Sequence, residues 1–183
     1  MSEPSQPTQS DALRELLDER AIRQVVLRYC RGIDRMDREL VRACYHRGAE
    51  DHHGSFRGDV DAFIEWVWRL LEHYDSTMHL IGNLLVEFAS PQVACAETYG
   101  TAFHRGDPEK AKRNLVTGFR YIDRFERRAG DWRIAKRVAT TEWARVDVPE
   151  NWWPIRDDLL SGTRDRRDPL YACLSGTPSV PER

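Results

Sequence analysis

Three side chains at the end of one predicted helix and the start of the first long predicted strand could together move a proton. Tyr29 and Asp34 end the first amphipathic helix, and His79 opens a strand that begins near Thr77. A phenol, a carboxylate and an imidazole can form a proton-transfer site that requires neither metal nor cofactor. A histidine in an apolar pocket tends to stay neutral, and an aspartate bonded to its other ring nitrogen fixes the tautomer. The residues therefore predict His79 as the base, Asp34 as its orienting partner and Tyr29 as the acid.

Each of these residues also has a purely structural interpretation. Asp34 lies between Gly32 and Asp37 and could simply form a turn, and Tyr29 could be a core residue of the helical stripe. His79 could be an interior histidine whose ring nitrogens are satisfied by hydrogen bonds. The three residue types occur together in suitable elements, and this combination favours the proton-transfer interpretation.

The first two elements can be predicted from hydrophobic periodicity. Apolar residues from Leu13 to Ile33 recur at steps of three and four, which predicts a helix packed on a core, with Ser10 or Asp11 as its cap. Gly32 weakens this helix, and Asp37 is placed to cap a short second helix. The expected order is therefore a helix, a break and a second helix.

The rest of the predicted domain changes from a helical period to a period of two. Gly58 and Asp59 open a third helix, whereas the polar segment Glu50 to Phe56 before it is typical of a short edge strand or turn. Helices followed by antiparallel strands predict an α+β fold in which a curved sheet wraps around the helices. The predicted strands are Met78 to Phe88, Val93 to His104, Leu115 to Arg127 and Trp132 to Val146.

The composition limits the kind of partner. With 183 residues, of which 40% are hydrophobic, the chain is expected to form one domain with its own core. Its 28 lysines and arginines nearly balance 30 acidic residues, so we expect a small neutral substrate rather than nucleic acid or an anionic membrane. Residues 1–10 are polar and expected to be disordered, and no apolar run approaches ~18 residues. These features predict a cytoplasmic location.

Neither the histidines nor the cysteines predict a metal site, and no cofactor is expected. His52 and His53 look like a ligand pair, but adjacent residues of a strand point to opposite faces, so only one can face a pocket. We expect His53 to be that residue. The cysteines form no CxxC pair and are expected to be ordinary reduced thiols: Cys30, Cys44, Cys95 and Cys173.

Three segments of the chain resemble the SnoaL-like branch of the nuclear transport factor 2-like superfamily. They are LLDERAIRQVVLRYCRGIDRMD, STMHLIGN and YIDRFERRAGDWRIAKR, and the resemblance covers roughly Leu13 to Val146. It implies a cone-shaped α+β barrel, with three N-terminal helices packed in a curved antiparallel sheet around a deep apolar pocket. We expect a SnoaL-like domain over residues 11–147. A C-terminal extension, residues 148–183, is expected to drape over the sheet or a neighbouring subunit.

The resemblance also implies roles for individual residues. Dehydratase and dehydrochlorinase members use an aspartate just after the first helix and a histidine opening the strand after the third helix, which match Asp34 and His79. The bile-acid dehydratase uses a tyrosine matched by Tyr29, and scytalone dehydratase has a second histidine at a place comparable to His104. Dehydrochlorinase-type sites also include a lysine near the end of the first helix and an arginine on the last strand, for which Arg28 or Arg31, and Arg137, are imperfect candidates. The absence of the lysine argues against halide elimination. The predicted substrate-binding residues are His53, His104, Asn83, Arg137 and Tyr45.

These features predict a cofactor-independent lyase, a dehydratase in the first instance, acting on a small hydrophobic molecule with a hydroxyl, carbonyl or aromatic group. The sequence leaves open an isomerase or cyclase with the same pair, a formaldehyde-releasing lyase, and a non-catalytic ligand-binding or scaffold subunit of an aromatic-ring oxygenase. Phe119, Tyr121 and Phe125 are expected on the exposed side of the sheet, which predicts association through that face. Related dehydratases are trimers, so a homotrimer is favoured over a dimer.

Overall fold

The computed structural model describes residues 8–106, 113–148, 155–156 and 158–176, so most of the predicted disordered segment lies outside the described residues. No helix within these ranges is long and apolar enough to cross a membrane. The helices are α1 (Gln9–Asp34), α2 (Arg38–Ala43), α3 (Val60–Leu71) and α4 (Pro169–Leu174). The strands are β1 (Tyr45–His53), β2 (Phe56–Asp59), β3 (Tyr74–Ser90), β4 (Val93–Gly106), β5 (Asn114–Arg128) and β6 (Asp131–Asp147).

Helix α1 begins at a capping box. The Thr8 hydroxyl accepts the backbone N–H of Asp11 at 3.2 Å, and the Asp11 carboxylate accepts the backbone N–H of Thr8 at 3.2 Å. Thr8 is therefore the N-cap, and the expectation of Ser10 or Asp11 at that position is wrong. The reason is that Asp11 fills the third helical position of the box, from which its side chain reaches back to the cap.

The buried stripe of α1 is shorter than the sequence pattern predicts. Leu13, Leu16 and Leu17 are each more than half exposed, and the buried residues of the helix begin at Ile22. The first turns instead present Asp18 to the sheet, where its carboxylate accepts hydrogen bonds from Arg127 at 3.0 and 3.1 Å. The predicted stripe is thus confirmed only from Ile22 onward.

Gly32 allows α2 to pack closely on α1 and does not end the first helix. The helix continues to Asp34, and a Cβ at position 32 would lie only 2.6 Å from Cγ2 of Val41. Asp37 caps α2 as predicted, because its side chain accepts the backbone N–H of Leu40 at 3.0 Å. The tight turn between the two helices fixes the place where Asp34 leaves α1.

The strands form one curved, unclosed sheet in the order β2-β1-β6-β5-β4-β3. The prediction of four long antiparallel strands is confirmed for β3 to β6. The segment 50–56 forms more than an edge strand or turn, since β1 pairs antiparallel with β2 on one side and parallel with β6 on the other. The sheet is therefore mixed, and the last long strand lies between β1 and β5.

Small residues of β4 form part of the inner face of the sheet. Ala94, Ala96 and Thr98 are at most 1% exposed, whereas Tyr99 points outward. Short side chains here leave room for the helices and for a cavity inside the curve of the sheet. The alternation of small and bulky residues along this strand therefore marks its two faces.

The aromatic residues of β5 also lie on the inner face. Phe119, Tyr121 and Phe125 are at most 7% exposed, so the expectation that they cover the outer face is wrong. The concave side needs large side chains to fill the space between sheet and helices, and the Tyr121 ring packs edge-on against the Tyr29 ring of α1 at 5.7 Å. The outer face carries other apolar residues, among them Leu80.

The described part of the C-terminal extension lies against the ends of the helices. Arg164 donates to the carbonyl oxygen of Leu71 at 3.0 Å and also contacts Tyr74 and Met36. Asp168 caps α4 and lies 3.5 Å from Arg35. These contacts connect residues 158–176 to the C-terminal ends of α1 and α3 in the same chain, while Trp152 and Trp153 lie outside the described residues.

Candidate active site

A cavity of about 190 Å³ lies between the inner face of the sheet and the helices α1 and α3. Three histidines line it, namely His53 on β1, His79 on β3 and His104 on β4. A concave, mostly apolar cavity with a few converging polar groups is the usual form of a small-molecule site. Its other walls include Tyr29, Ile33, Trp66, Leu70, Ala102, Leu115, Thr117, Phe119, Tyr121 and Thr140.

His79 and Asp34 form a short hydrogen-bonded pair at this cavity. Nδ1 of His79 lies 2.6 Å from Oδ1 of Asp34, and the backbone N–H of His79 donates to Oδ2 at 3.0 Å. Both side chains are largely buried, with 6% and 14% of their surface exposed. A carboxylate can only accept, so Nδ1 donates to it, and when the ring is neutral Nε2 is left as an acceptor. The two contacts therefore fix the orientation of the His79 ring.

The ends of two elements bring this pair together. Asp34 is the last residue of α1, and His79 lies near the start of β3, the edge strand that packs on α1. A cation is favoured near the C-terminal end of a helix. The end of α1 would therefore stabilise a positive charge on a side chain next to Asp34.

His104 lies on the neighbouring strand and is a neutral group. Thr77 Oγ1 is 3.2 Å from Nδ1 of His104, and the His79 and His104 ring centroids are 6.4 Å apart. Burial lowers the pKa of His104 from its ordinary 6.5 to about 4, and the charge of His79 acts in the same direction. At neutral pH His104 can therefore donate or accept a hydrogen bond to a ligand but does not act as a cationic acid.

Tyr29 lines the cavity with its ring against a buried arginine. The Arg137 guanidinium donates to both oxygens of Asp123, at 2.7 and 2.6 Å, and both side chains are fully buried. Its guanidinium carbon lies 4.0 Å from the ring centroid of Tyr29 and 3.9 Å from that of Tyr121. Burial raises the pKa of Tyr29, and Arg137 opposes this rise only in part. Tyr29 can therefore donate a hydrogen bond to a bound oxygen, whereas Arg137 lies beneath the wall.

Tyr45 and His53 belong to a second polar group on β1. The Tyr45 hydroxyl donates to Oδ2 of Asp51 at 2.6 Å, and both residues are buried outside the cavity wall. His53, two residues further along the strand, lines the cavity with its ring stacked on Phe63 at 5.5 Å. As the alternation of strand residues predicts, His53 and not His52 reaches the cavity.

Asn83 is separated from the other predicted site residues. It is exposed in an open groove on the outer face of the sheet, which Leu80, Tyr99 and Trp143 also line. Asn83 lies within an irregularity in the pairing of β3 with β4, between Ile81 and Leu84. The structure thus brings His79, Asp34, Tyr29, His104 and His53 together and places Arg137, Tyr45 and Asn83 outside the cavity.

Sequence reasoning missed the buried carboxylates. Asp51 and Asp123 are both fully buried, and Asp123 shares the inner face of β5 with Tyr121 and Phe125. A charged residue at an inward position of an alternating strand is a signal that could have been used, because such a group requires a buried partner. The aromatic wall residue Trp66 could be assigned to the core from the helical period, but not to a cavity.

The described residues offer no evident metal centre. No group of three or more histidine, cysteine, aspartate or glutamate side chains within these ranges is arranged to hold an ion. The cysteines are unpaired, and burial raises the pKa of the Cys30 thiol to about 12, so this thiol is a poor nucleophile.

An α+β cone with an inner cavity and a His–Asp pair defines the class of this protein. Residues 14–138 match the SnoaL-like domain family, and the chain belongs to that family. This finding confirms the family and the nuclear transport factor 2-like fold predicted from the sequence. No curated protein matches the chain significantly.

Solved structures share this fold at low sequence identity. A scytalone dehydratase-like protein of Novosphingobium aromaticivorans is 20% identical with a TM-score of 0.67, over 79% of this chain and 93% of that chain. The dehydrochlorinase LinA-type3 of Novosphingobium barchaimii is 17% identical with a TM-score of 0.68, over 79% and 99%. A protein of unknown function from Mycobacterium tuberculosis is 20% identical with a TM-score of 0.61, over 75% and 78%. The fold therefore occurs both in proteins named as lyases and in one without an assigned function.

Proposed function

We propose that this protein is a cofactor-independent lyase that removes water from a small hydrophobic molecule carrying a hydroxyl group and a carbonyl or aromatic group. The observation that carries the proposal is the 2.6 Å contact between Asp34 and Nδ1 of His79 at the wall of a cavity inside the curve of the sheet. This contact leaves Nε2 of His79 to accept a proton from the substrate. Asp34 orients the ring and stabilises its cation.

In the proposed reaction, His79 removes a proton from a carbon next to a carbonyl group. The electron pair of that bond forms a carbon–carbon double bond, the bond to the neighbouring hydroxyl breaks, and the departing oxygen takes up a proton and leaves as water. Tyr29 lines the same cavity and donates a hydrogen bond to the oxygen on which charge develops. A positioned base of this kind contributes about 10²- to 10⁴-fold in rate.

The walls of the cavity favour a flat cyclic substrate. Trp66, Phe119 and Tyr121 present ring faces or edges, and threonines on β5 and β6 offer hydroxyls for a few hydrogen bonds. A volume of about 190 Å³ lies below the usual range of ligand pockets and favours a small substrate. An isomerase or cyclase would use the same base, whereas a scaffold subunit would have no use for an oriented pair facing a cavity.

The proposal is tested with the aldol adduct of benzaldehyde and acetone. This β-hydroxy ketone loses water to give a conjugated enone, which is followed by its ultraviolet absorbance. We expect the purified protein to accelerate this loss and His79→Gln to reduce the rate about 10²-fold or more. The matched control is His52→Gln, because His52 lies on β1 but does not line the cavity. Equal rates for wild-type protein and His79→Gln, with both folded, would overturn the proposal.

A further inference from the structure

Two buried polar atoms on β1 face each other without a hydrogen-bond partner. They are Oδ1 of Asp51 and Nδ1 of His53, which lie 3.6 Å apart. Asp51 is fully buried, and its other oxygen accepts the Tyr45 hydroxyl at 2.6 Å. Buried polar atoms without partners are rare, and two of them pointing at one another indicate a bond that tightens in another state of the protein.

The groups around Asp51 indicate which of them can donate a hydrogen bond to its free oxygen Oδ1. Asp51 and Asp123 are two fully buried carboxylates, and the Arg137 guanidinium directs both of its hydrogen bonds to Asp123. A buried carboxylate oxygen without a hydrogen-bond donor is costly. Arg137 lies opposite Asp51 in the β1–β6 register, but its two hydrogen bonds go to Asp123 and its Nη1 has no partner. Nδ1 of His53, 3.6 Å away, is the ring nitrogen adjacent to the free oxygen of Asp51.

His53 also faces the cavity from the wall opposite His79. Strand β1, which carries His53, is separated from β3, which carries His79, by β6, β5 and β4 around the curve of the sheet. Both imidazoles line the same space, with Phe119 and Tyr121 between them: His79 lies 5.7 Å from the Phe119 ring, and His53 lies 5.8 Å from the Tyr121 ring. A substrate in the cavity is therefore held between two histidines, each next to an aspartate.

We propose that His53 is a second catalytic residue, the general acid of the reaction, and that Asp51 is its positioning residue. This inference rests on the proposed function of the same cavity. As His79 takes the proton from carbon, the bond between the neighbouring carbon and the leaving oxygen breaks, and His53 gives a proton to that oxygen. The enzyme ends the step with His79 protonated and His53 neutral, and solvent restores both.

The other cavity groups are less suited to release a proton. Burial raises the pKa of Tyr29, so the phenol holds its proton tightly. Burial lowers the pKa of His104 to about 4, so its ring is neutral at the pH at which the base must work. Both residues can donate or accept hydrogen bonds, but neither is placed beside a buried carboxylate as His53 is.

The test uses two benzisoxazoles, with and without a nitro group on the ring. A base removes the ring C–H proton, the N–O bond breaks, and a cyanophenol forms whose absorbance is followed. The nitro group makes the leaving phenolate less basic, so a general acid assists the unsubstituted compound more. We expect His53→Gln to slow the unsubstituted compound about 30-fold or more and the nitro compound less than about 5-fold.

Two further variants separate the possible outcomes. His52→Gln is the matched control and should react like wild type with both compounds, whereas His79→Gln should lose both reactions. Asp51→Asn should reproduce the unequal losses of His53→Gln; if it does not fold, the decision rests on His53→Gln, whose side chain is partly exposed. The acid role of His53 would be overturned if His53→Gln lost the same factor with both compounds, or lost no activity, while His79→Gln was inactive. That result would leave the role of His79 as the base intact. Full activity in His79→Gln would instead contradict the proposed function.

Discussion

Asp34 holds His79 at two points, since one carboxylate oxygen lies 2.6 Å from the ring nitrogen Nδ1 and the other accepts the backbone N–H at 3.0 Å. An asparagine in its place has the same shape but an amide that can donate to Nδ1. The ring would then present Nε2–H, and not a lone pair, to the cavity. Asp34 thus determines which nitrogen of His79 can act.

We therefore expect Asp34→Asn to lower the rate of dehydration of the benzaldehyde–acetone adduct about 10²- to 10⁴-fold while the protein stays folded. The rate is measured by enone absorbance and the fold by circular dichroism. Asp131→Asn, at the exposed first residue of β6, is the control and should keep the wild-type rate. A rate in Asp34→Asn within a factor of about two of wild type would show that the tautomer does not matter.

His104 should make the folded protein sensitive to acid. Its pKa is about 4 in the folded state against an ordinary 6.5, so between these values the unfolded chain binds more protons than the folded one. Stability contributed by the neutral ring is therefore present above pH 6.5 and is lost as the pH falls toward 4. The loss is at most about 3 kcal/mol.

Urea unfolding at a series of pH values tests this expectation. In His104→Gln the free energy of unfolding should fall less between about pH 7 and pH 4.5 than in wild type. The exposed His73 provides the comparison, because His73→Gln should follow the wild-type curve. Parallel curves for wild type and His104→Gln would contradict the assignment of a buried, neutral ring.

The contact between Gly32 and Val41 predicts a loss of stability on adding one methyl group. In Gly32→Ala the new Cβ would lie 2.6 Å from Cγ2 of Val41 and 3.1 Å from its backbone nitrogen, so α2 must shift. Overpacking of this kind costs about 1–3 kcal/mol, measured as the free energy of unfolding in urea. Gly82→Ala is the control, since its nearest contact would be the Tyr99 carbonyl oxygen at 3.8 Å, and it should change stability by less than about 0.5 kcal/mol. Similar values for the two variants would be evidence against the close packing of α1 and α2.

The outer face of the sheet should mediate self-association, although not through the aromatic residues first expected there. Leu80 is 63% exposed and Trp143 is 51% exposed, and both line the outer groove. Water-exposed apolar groups on one face favour a protein contact. We expect sedimentation to show an oligomer, with a trimer favoured, and Leu80→Lys to shift it toward monomer. Leu16→Lys on α1, equally apolar and exposed, should leave the assembly unchanged. A wild-type monomer at tens of micromolar would contradict this expectation.

The helix and the strand that position Asp34 and His79 could be predicted because the hydrophobic period of a helix differs strongly from that of a strand. The apolar stripe from Ile22 to Ile33 and the alternating strands after Thr77 fixed the order of helix and strand around Asp34 and His79. The resemblance then supplied the pairing of the two residues, which no local pattern contains. Their catalytic roles remain predictions.

Long-range pairing explains what the sequence could not predict. Arg137 looks like a residue that faces substrate or solvent, but it lies directly opposite Asp123 in the β5–β6 register, and that partner makes its burial possible. The polar sequence around His53 is typical of a turn. It forms a strand because it pairs with β6, which lies far along the chain. Local propensity carries no information on such partners.

The pairing of β1 with β6 has a consequence for the order in which the molecule can assemble. Strand β1 reaches the rest of the sheet only through β6, the last long strand to leave the ribosome. The wall that carries His53 must therefore wait for residues up to Ala139, the partner of His53 on β6, before it can dock, and such distant contacts form slowly. A nascent chain that ends after β5 could hold His79 next to Asp34, but it would lack the cavity wall that β1 and β6 form.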